Sequence, residues 1–288
     1  MRELNIRTIP FFLLLIATTT LAAPPLVGPP TAPVVSPPLR SLGAAGDIAD
    51  KPHLVPNFEV PRKTAAGATA PTDTVVQSAL NPAHSPDLLG VNFDGVGVSN
   101  SAPPDTNGRV GRNHYVQWVN TKLAVWDKSG HLLFGPVKGN TLFQSLGGTC
   151  ATHNDGDPIA EYDLLADRWV LTQFAVGAGD GSFSHQCVAV SITGDPLGSY
   201  YLYDFKTSTA ADPALFVDYP HVGVWPDGYY ITTHQFGSDG SFNQSLYVLD
   251  RERMLAGLPA TYQLHEFGAS APGGVFTYGG ALPADLDS

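Results

Sequence analysis

The sequence predicts an all-β protein built from repeated four-stranded antiparallel units, the plan of a β-propeller blade. Four features return in the same order at offsets of 61, 62, 59 and 62 residues. The repeated features are Asp157 with Asp218, Gln173-Phe174 with Gln235-Phe236, Asp180-Gly-Ser-Phe with Asp239-Gly-Ser-Phe, and residues 200–205 with 262–267. Composition agrees, since only 14% of residues are charged while there are 30 glycines and 25 prolines, which favours a turn-rich β protein.

Short runs of aromatic and β-branched residues, separated by Gly, Pro, Asn and Asp, predict the individual strands. The runs cover residues 115–119, 123–126, 168–174, 187–191, 200–205, 229–236, 246–249 and 262–267. A short strand after the aspartate of each unit brings the count to four. The two Asp-Gly-Ser-Phe segments predict hairpin turns. Residues 251–256, which Gly257 and Pro259 follow, predict a short helix.

Composition also divides the chain into regions. Residues 1–22 predict a secretory signal peptide cleaved near Ala22, because two arginines precede an apolar run and a small-residue cleavage site. Residues 23–87 are rich in Pro and Ala, with ten prolines between 24 and 61, and predict a disordered leader and linker. Residues 88–288 predict a β-propeller-like domain. Its repeats run from about 92–149, 150–210 and 211–272, and a further blade starts at 273–288.

The length of this domain predicts an incomplete ring. Residues 88–288 are 201 residues, little more than three units. Closed propellers have about 4–8 blades. We therefore expect a fragment or truncated product; if the chain is complete, its exposed last sheet edge needs a partner.

Charge and cysteine content limit the environment and the partners. The net charge of −11 becomes −12 when residues 1–22 leave, since Arg2, Arg7 and Glu3 leave together. An acidic chain with no basic run predicts no nucleic acid binding. The mature chain has no predicted membrane span. Export to the exterior or the periplasm predicts a disulfide between Cys150 and Cys187, with two separately buried thiols as the alternative.

The chain resembles a group of uncharacterised secreted bacterial proteins that have a propeller-like repeat. The resemblance lies in five motifs spread over about residues 92–280: PPDTNG (103–108), NHYVQWVN (113–120), NDGDP (154–158), ADRWVLTQF (166–174) and GVWPDGYY (223–230). It implies a protein of the bacterial envelope or exterior and brings no established catalytic residues.

Asp105, Asp157 and Asp218 fall at equivalent repeat positions, each entering the first strand of its unit. The first strand of a propeller blade lines the central channel, so these three carboxylates are expected to converge. Three roles remain open. Each aspartate can cap a turn by accepting backbone N–H bonds, the three can recruit a cation such as Ca²⁺, or they can act in catalysis.

Two specific sites follow from these alternatives. A Ca²⁺ site would use Asn154, Asp155 and Asp157, whose oxygen atoms are hard ligands. An inverting glycosidase would use Asp105 and Asp157 with Glu161 as the acid. His153, His221 and His234 have no metal-binding spacing. Trp169, Phe174, Trp225 and Tyr229 are interpreted as core between blades, not as a sugar platform.

The sequence therefore favours a secreted β-propeller-type binding or structural module of the bacterial envelope or exterior, with a glycan or protein ligand. It predicts no cofactor, with Ca²⁺ as the alternative. The alternative is a propeller-fold glycoside hydrolase.

Overall fold

The computed structural model describes residues 25–43, 90–97, 101, 103–177, 183–208, 211–267 and 281–286. These residues form fourteen strands: β1 Leu26–Val27, β2 Val34–Val35, β3 Thr106–Val110, β4 His114–Val119, β5 Lys122–Asp127, β6 Leu132–Lys138, β7 Gly156–Asp163, β8 Arg168–Val176, β9 Ser184–Ser191, β10 Tyr200–Lys206, β11 Phe216–Trp225, β12 Gly228–Phe236, β13 Phe242–Leu249 and β14 Tyr262–Glu266. Two short α-helices, α1 Gly148–Thr152 and α2 Arg251–Leu255, and 3-10 turns at Leu39–Ser41 and Gly139–Leu146 complete the described elements.

The strands form three antiparallel sheets, and each sheet is a meander of four consecutive strands. The meander of sheet I is β3 to β6, that of sheet II is β7 to β10, and that of sheet III is β11 to β14; β2 and β1 add a fifth strand to sheets II and III. Every predicted strand is confirmed, including the short first strands β3, β7 and β11. Within the described residues the sheets close neither a barrel nor a propeller ring.

Consecutive sheets pack face to face through large buried side chains. Trp118 of sheet I and Trp169 of sheet II share one cluster, and neither is exposed to solvent. Tyr203 of sheet II and Tyr229 of sheet III share the next cluster. The first strands lie side by side, since β7 contacts both β3 and β11. This arrangement brings the start of each first strand to one end of the molecule.

In the second strand of sheets II and III, the alignment given by the sequence repeat differs by two residues from the alignment given by the hydrogen-bonded pairs. Phe174 pairs with Gly156 in sheet II, whereas His234 pairs with Asp218 in sheet III. Phe174 is therefore structurally equivalent to His234, whereas the sequence repeat aligns it with Phe236. The physical reason is the connecting hairpin, which has four residues (164–167) in sheet II and two (226–227) in sheet III.

Several local expectations are confirmed. Cys150 and Cys187 form a disulfide with their Cα atoms 5.8 Å apart, which ties α1 to β9. The helix predicted at 251–256 is α2, and its N-cap residue Asp250 accepts a bond from the Arg253 amide. The second Asp-Gly-Ser-Phe forms a hairpin turn in which Gly240 has a φ of 81°. The corresponding residues 180–182 lie outside the described residues.

The leader differs from its expected disorder over residues 25–43. β1 pairs with the outer strand β14 of sheet III, and β2 pairs with the outer strand β10 of sheet II. Leu39 then enters the core between sheets I and II, where none of its surface is exposed. Proline favours an extended chain, and an outer sheet edge offers such a chain hydrogen-bonding partners. The signal peptide, the remaining linker to residue 87 and residues 273–280 of the further blade lie outside the described residues.

The segments 90–97 and 281–286 add to the ends of this stack. Phe93 packs on Tyr115 and Trp126 of sheet I, at ring-centroid distances of 6.1 and 5.8 Å. Near the carboxyl end, Leu286 donates its amide to the Val224 carbonyl of β11 at 3.2 Å. No helix in the described part of the chain has the length and apolar character needed to cross a membrane.

Candidate functional site

Each first strand has a residue in the left-handed region of backbone space at or near its start. These residues are Asp105 (φ 40°), Asp157 (φ 43°) and Tyr219 (φ 53°). Asp tolerates this region, but a bulky residue such as Tyr rarely occupies it. Such conformations persist only where the surrounding structure holds them, and they are enriched at functional sites.

This conformation shows which residues of sheets II and III are equivalent. Pro158 follows Asp157 and Pro220 follows Tyr219, and the ladder register shifts at both dipeptides. Tyr219 is therefore the structural counterpart of Asp157. Asp218, which the sequence repeat aligns with Asp157, stands one residue earlier.

The three predicted aspartates nevertheless converge, and two of them are in contact. The carboxyl group of Asp157 donates a hydrogen bond to the carboxylate of Asp218. Burial, followed by the charges of Asp218 and Asp105, raises the pKa of Asp157 to about 8. Burial also raises the pKa of Asp218, although the Tyr219 amide, which donates to its Oδ1 at 2.8 Å, acts in the opposite direction. The pair therefore retains one proton at neutral pH.

Asp105 is held in place from sheet I. Asn120 Nδ2 donates to Asp105 Oδ2 at 2.7 Å and to the Pro103 carbonyl at 3.0 Å. Asn120 itself has a φ of 42° and packs closely against Gly156. A Cβ on Gly156 would lie 2.3 Å from Asn120 Oδ1, and Gly156 has a φ of 110°. Glycine at 156 is therefore what allows sheets I and II to approach at this end.

An aromatic group lies beside the carboxyl pair. The ring of Tyr219 stacks on His234 with centroids 4.9 Å apart and meets His221 edge-on at 4.4 Å. Burial lowers the pKa of both histidines, which are therefore neutral at neutral pH. Tyr219 remains 47% exposed, so part of the tyrosine is accessible to a ligand.

The two other residues of the expected Ca²⁺ site make loop contacts. Asn154 Oδ1 accepts from the Asn140 amide at 3.2 Å, and its Nδ2 donates to the Thr121 carbonyl at 3.1 Å. Asp155 Oδ2 accepts from the Val176 amide at 2.7 Å. Throughout the described ranges, no three His, Cys, Asp or Glu side chains are arranged to hold a metal ion. His153 contacts the Thr149 carbonyl through Nδ1 at 3.3 Å.

Glu161, the third residue of the expected glycosidase set, lies in an ion pair. Its Oε2 is 3.2 Å from Nε of Arg109, and the same guanidinium is 2.5 Å from Asp285. Asp285 also accepts from the Val224 amide at 2.9 Å, which links the segment 281–286 to β11. Glu161 is four residues beyond Asp157 along β7, or ~13 Å of extended chain. The structure therefore groups Asp105 with Asp157 and Asp218, and places Glu161 in a separate network.

The aromatic residues interpreted as core divide into two groups. Trp169, Phe174 and Tyr229 are buried between sheets. Trp225 is 38% exposed, and its Nε1 donates to the Ala284 carbonyl at 2.7 Å. The contribution of Tyr219 was missed because the repeat was aligned on aspartates. The proline shared at 158 and 220 was the signal that could have aligned Tyr219 with Asp157.

Comparison with known proteins yields a slight structural likeness. No protein-family model and no curated protein sequence matches this chain. A solved structure of an exo-β-1,3-galactanase from Phanerochaete chrysosporium with β-1,3-galactotriose is similar at a TM-score of 0.26 and 9% identity. The likeness covers 57% of this chain and 60% of the galactanase chain. A score and an identity this low give no support for a shared substrate or reaction.

Proposed function

We propose that the chain is an exported binding module whose three sheets are consecutive blades of a β-propeller. Three meanders of four strands, packed face to face with their first strands side by side, support the blade assignment. The Cys150–Cys187 disulfide supports an oxidising location such as the exterior or the periplasm. The resemblance to secreted bacterial proteins adds to this proposal.

We propose that the ligand is a glycan, bound where Asp157 and Asp218 meet beside Tyr219. This juxtaposition is the observation that carries the proposal. A carboxyl pair that retains one proton offers both a donor and acceptors to sugar hydroxyl groups. The exposed tyrosine offers an aromatic surface for the apolar side of a sugar ring, together with a polar hydroxyl.

The same geometry argues against the carboxyl pair as the two catalytic groups of a glycosidase. Retaining enzymes hold their carboxyl groups about 5–5.5 Å apart, and inverting enzymes about 6.5–9.5 Å apart. A side-chain hydrogen bond joins Asp157 and Asp218, so their carboxyl groups are closer together than either catalytic arrangement requires. Glu161, moreover, is engaged by Arg109.

A glycoside hydrolase remains the second candidate, and one observation favours it. The pKa of Asp157, raised to about 8, suits a general acid at neutral pH. Asp105 would then be the second carboxylate. Hydrolysis of a polysaccharide panel, lost in Asp157→Asn while the thermal melt is retained, would establish the enzyme and replace the binding module.

Binding to an immobilised glycan panel tests the module. We expect Tyr219→Ala and Asp218→Asn to weaken the binding of a retained glycan at least tenfold. Trp225→Ala is the matched control, because Trp225 is an exposed aromatic residue at the other end of the same strand β11. If Trp225→Ala abolishes binding and Tyr219→Ala leaves it intact, the site lies elsewhere. If the protein retains none of the glycans on the panel, the proposed ligand class is wrong.

A further inference from the structure

The amino-terminal segment contains a repeat of its own that matches the repeat of the sheets. Residues 25–30 read Pro-Leu-Val-Gly-Pro-Pro, and residues 33–38 read Pro-Val-Val-Ser-Pro-Pro. The first copy forms β1 on sheet III, and the second forms β2 on sheet II. We call residues 25–38 the strap.

The two copies of the strap bind equivalent positions in the same register. Leu26 and Val27 pair with Leu264 and Gln263, while Val34 and Val35 pair with Leu202 and Tyr201. The first strap pair lies 8 positions before the second, and the sheet residues that it contacts lie 62 positions after those that the second pair contacts. The outer edges of β10 and β14 are therefore two copies of one binding surface.

The small residue after each aliphatic pair makes the closest contact with a repeated tyrosine. The Gly28 amide donates to the Tyr262 carbonyl at 2.8 Å, and a Cβ on Gly28 would lie 2.3 Å from the Tyr262 ring. The Ser36 amide donates to the Tyr200 carbonyl at 2.9 Å, and its hydroxyl accepts from the Tyr200 amide at 2.9 Å. Gly28 and Ser36 are buried.

The aliphatic pairs contribute little buried surface. Leu26, Val27 and Val35 are 58%, 60% and 56% exposed. Recognition therefore depends on backbone hydrogen bonds, on a small residue against tyrosine, and on prolines that hold the segment extended before it binds. These are properties of a peptide ligand that adds a strand to a sheet edge.

We propose that the outer edges of β10 and β14 are peptide-binding sites for Pro-aliphatic-Val-(Gly/Ser)-Pro-Pro, and that the strap of a second copy of this chain is their partner in trans. The partner is argued from the sequence motif, since every copy of the chain carries two segments that fit. Residues 44–89 connect the described strap to Gly90, and these 46 residues can span at most ~150 Å. A strap released from its own sheets can therefore reach a neighbouring molecule.

Binding within one molecule normally excludes the second copy. A tethered segment reaches an effective concentration on the order of millimolar, far above a micromolar protein concentration. Exchange is therefore expected to become visible when the strap of one copy is weakened and its site is left intact. Ser36→Pro meets this need, because proline removes both the amide donor and the hydroxyl that contact Tyr200.

The experiment compares full-length wild type and full-length Ser36→Pro for binding a fluorescent peptide of residues 31–43, followed by anisotropy. We expect Ser36→Pro to bind the peptide at least tenfold tighter than wild type does, because its own strap no longer competes. A peptide carrying the same Ser36→Pro substitution is the matched control, with at least tenfold weaker binding. Equal binding by the two proteins, or by the two peptides, would overturn the binding site.

Native mass spectrometry of a mixture of the two full-length proteins tests the partner. The wild-type strap should occupy the free edge of Ser36→Pro and yield a mixed dimer, whereas Ser36→Pro alone should yield less dimer. Peptide binding without a mixed dimer would overturn the second copy as the partner. If near-ultraviolet circular dichroism shows that Ser36→Pro does not fold, Ser36→Ala replaces it, because alanine removes the hydroxyl that accepts from the Tyr200 amide and keeps the rest of the strap.

Discussion

The protonated carboxyl group of Asp157 donates a hydrogen bond to Asp218, which lies 61 residues later in the chain and in the neighbouring sheet. The contact exists because β7 and β11 lie side by side and the backbone turns into the left-handed region at Asp157 and Tyr219. This relationship gives the candidate site its chemistry and predicts how the protein responds to pH.

The stability difference between Asp157→Asn and wild type is expected to increase with pH. The unfolded Asp157 loses its proton near the usual pKa of 3.8, whereas the folded group keeps it to about pH 8. The native state therefore binds more protons between these values, and the stabilisation is complete below about pH 4 and is lost as the pH rises through about 8. Asn can donate to Asp218 as the protonated acid does and cannot ionise. We expect the variant to equal wild type at pH 4 and to exceed it by several kcal/mol at pH 9, because each pH unit between the two pKa values lowers the stability of wild type by about 1.4 kcal/mol.

Urea unfolding at a series of pH values measures this difference, with Asp127→Asn as the control. Hydrogen bonds lower the pKa of Asp127 to about 2; they come from the backbone amide and ring of His131 and from the Ser129 amide. Its stabilisation is therefore present above the usual pKa and lost as the pH falls through about 2, so Asp127→Asn should be less stable than wild type at neutral pH. A difference between Asp157→Asn and wild type that stays constant from pH 4 to 9 would rule out the shared proton.

Chelation is expected to leave the thermal melt unchanged. Asp157 bonds to Asp218, while Asn154 and Asp155 bond to backbone amides and a carbonyl, so the expected Ca²⁺ ligands are engaged by the protein itself. The melting temperatures at neutral pH with about 1 mM EDTA and with about 1 mM CaCl₂ should agree within about 1 °C. A melting temperature that drops steeply in EDTA would instead establish a Ca²⁺ site.

Removing the disulfide is expected to lower the free energy of unfolding substantially. Cys150 and Cys187 are separated by 37 positions, and closing a loop of that size stabilises the fold by about 3–4 kcal/mol on the chain-entropy estimate. Urea unfolding of a Cys150→Ala/Cys187→Ala variant measures the loss. Mass spectrometry of unreduced wild type, purified from the periplasm or medium, should show the two cysteine peptides linked. Two free thiols there would contradict the pairing.

A buried ion pair between sheets II and III predicts a large effect of one substitution. Arg251 Nε lies 2.7 Å from Asp163 Oδ2, and the side chain of Asp163 is fully buried. Tyr229 also donates to this oxygen, at 2.8 Å. Arg251→Met leaves the buried carboxylate without its cation, and we expect a loss of about 3 kcal/mol in urea unfolding.

Arg40→Met is the matched control for this prediction, because Arg40 and Asp195 form an exposed ion pair. Exposed pairs contribute about 0–1 kcal/mol, so the control should change stability little. Equal losses in the two variants would show that burial does not distinguish the two ion pairs.

The amino-terminal segment is expected to contribute to stability through Leu39. This side chain is fully buried between sheets I and II, and its truncation to alanine should cost about 2–4 kcal/mol. Val35→Ala, at a side chain that is 56% exposed, should stay within about 0.5 kcal/mol of wild type. A wild-type melt in Leu39→Ala would mean that the segment does not pack into the core in solution.

The sequence by itself determined the local features of this protein. Strand positions, the four-strand unit, the hairpin at Gly240 and helix α2 were predictable, because β-branched and aromatic runs, turn residues and helix ends act over a few neighbouring residues. The cysteine pairing was predictable because Cys150 and Cys187 are the two cysteines of the chain. The approach of Asp105, Asp157 and Asp218 to one another was predictable because each lies near the start of its unit.

Only the tertiary structure decided the partners of these residues. A two-residue difference between hairpins shifts the ladders, so Tyr219 and not Asp218 takes the place of Asp157. Glu161 contacts Arg109 because the first strands of neighbouring sheets lie side by side. The separation of the two residues along the chain does not predict this contact. Residues 25–38 have too little apolar surface to form a core, yet they are ordered on the outer edges of two sheets. Those edges exist only once the strands of sheets II and III have packed, and this dependence on the assembled fold is why composition alone predicted disorder.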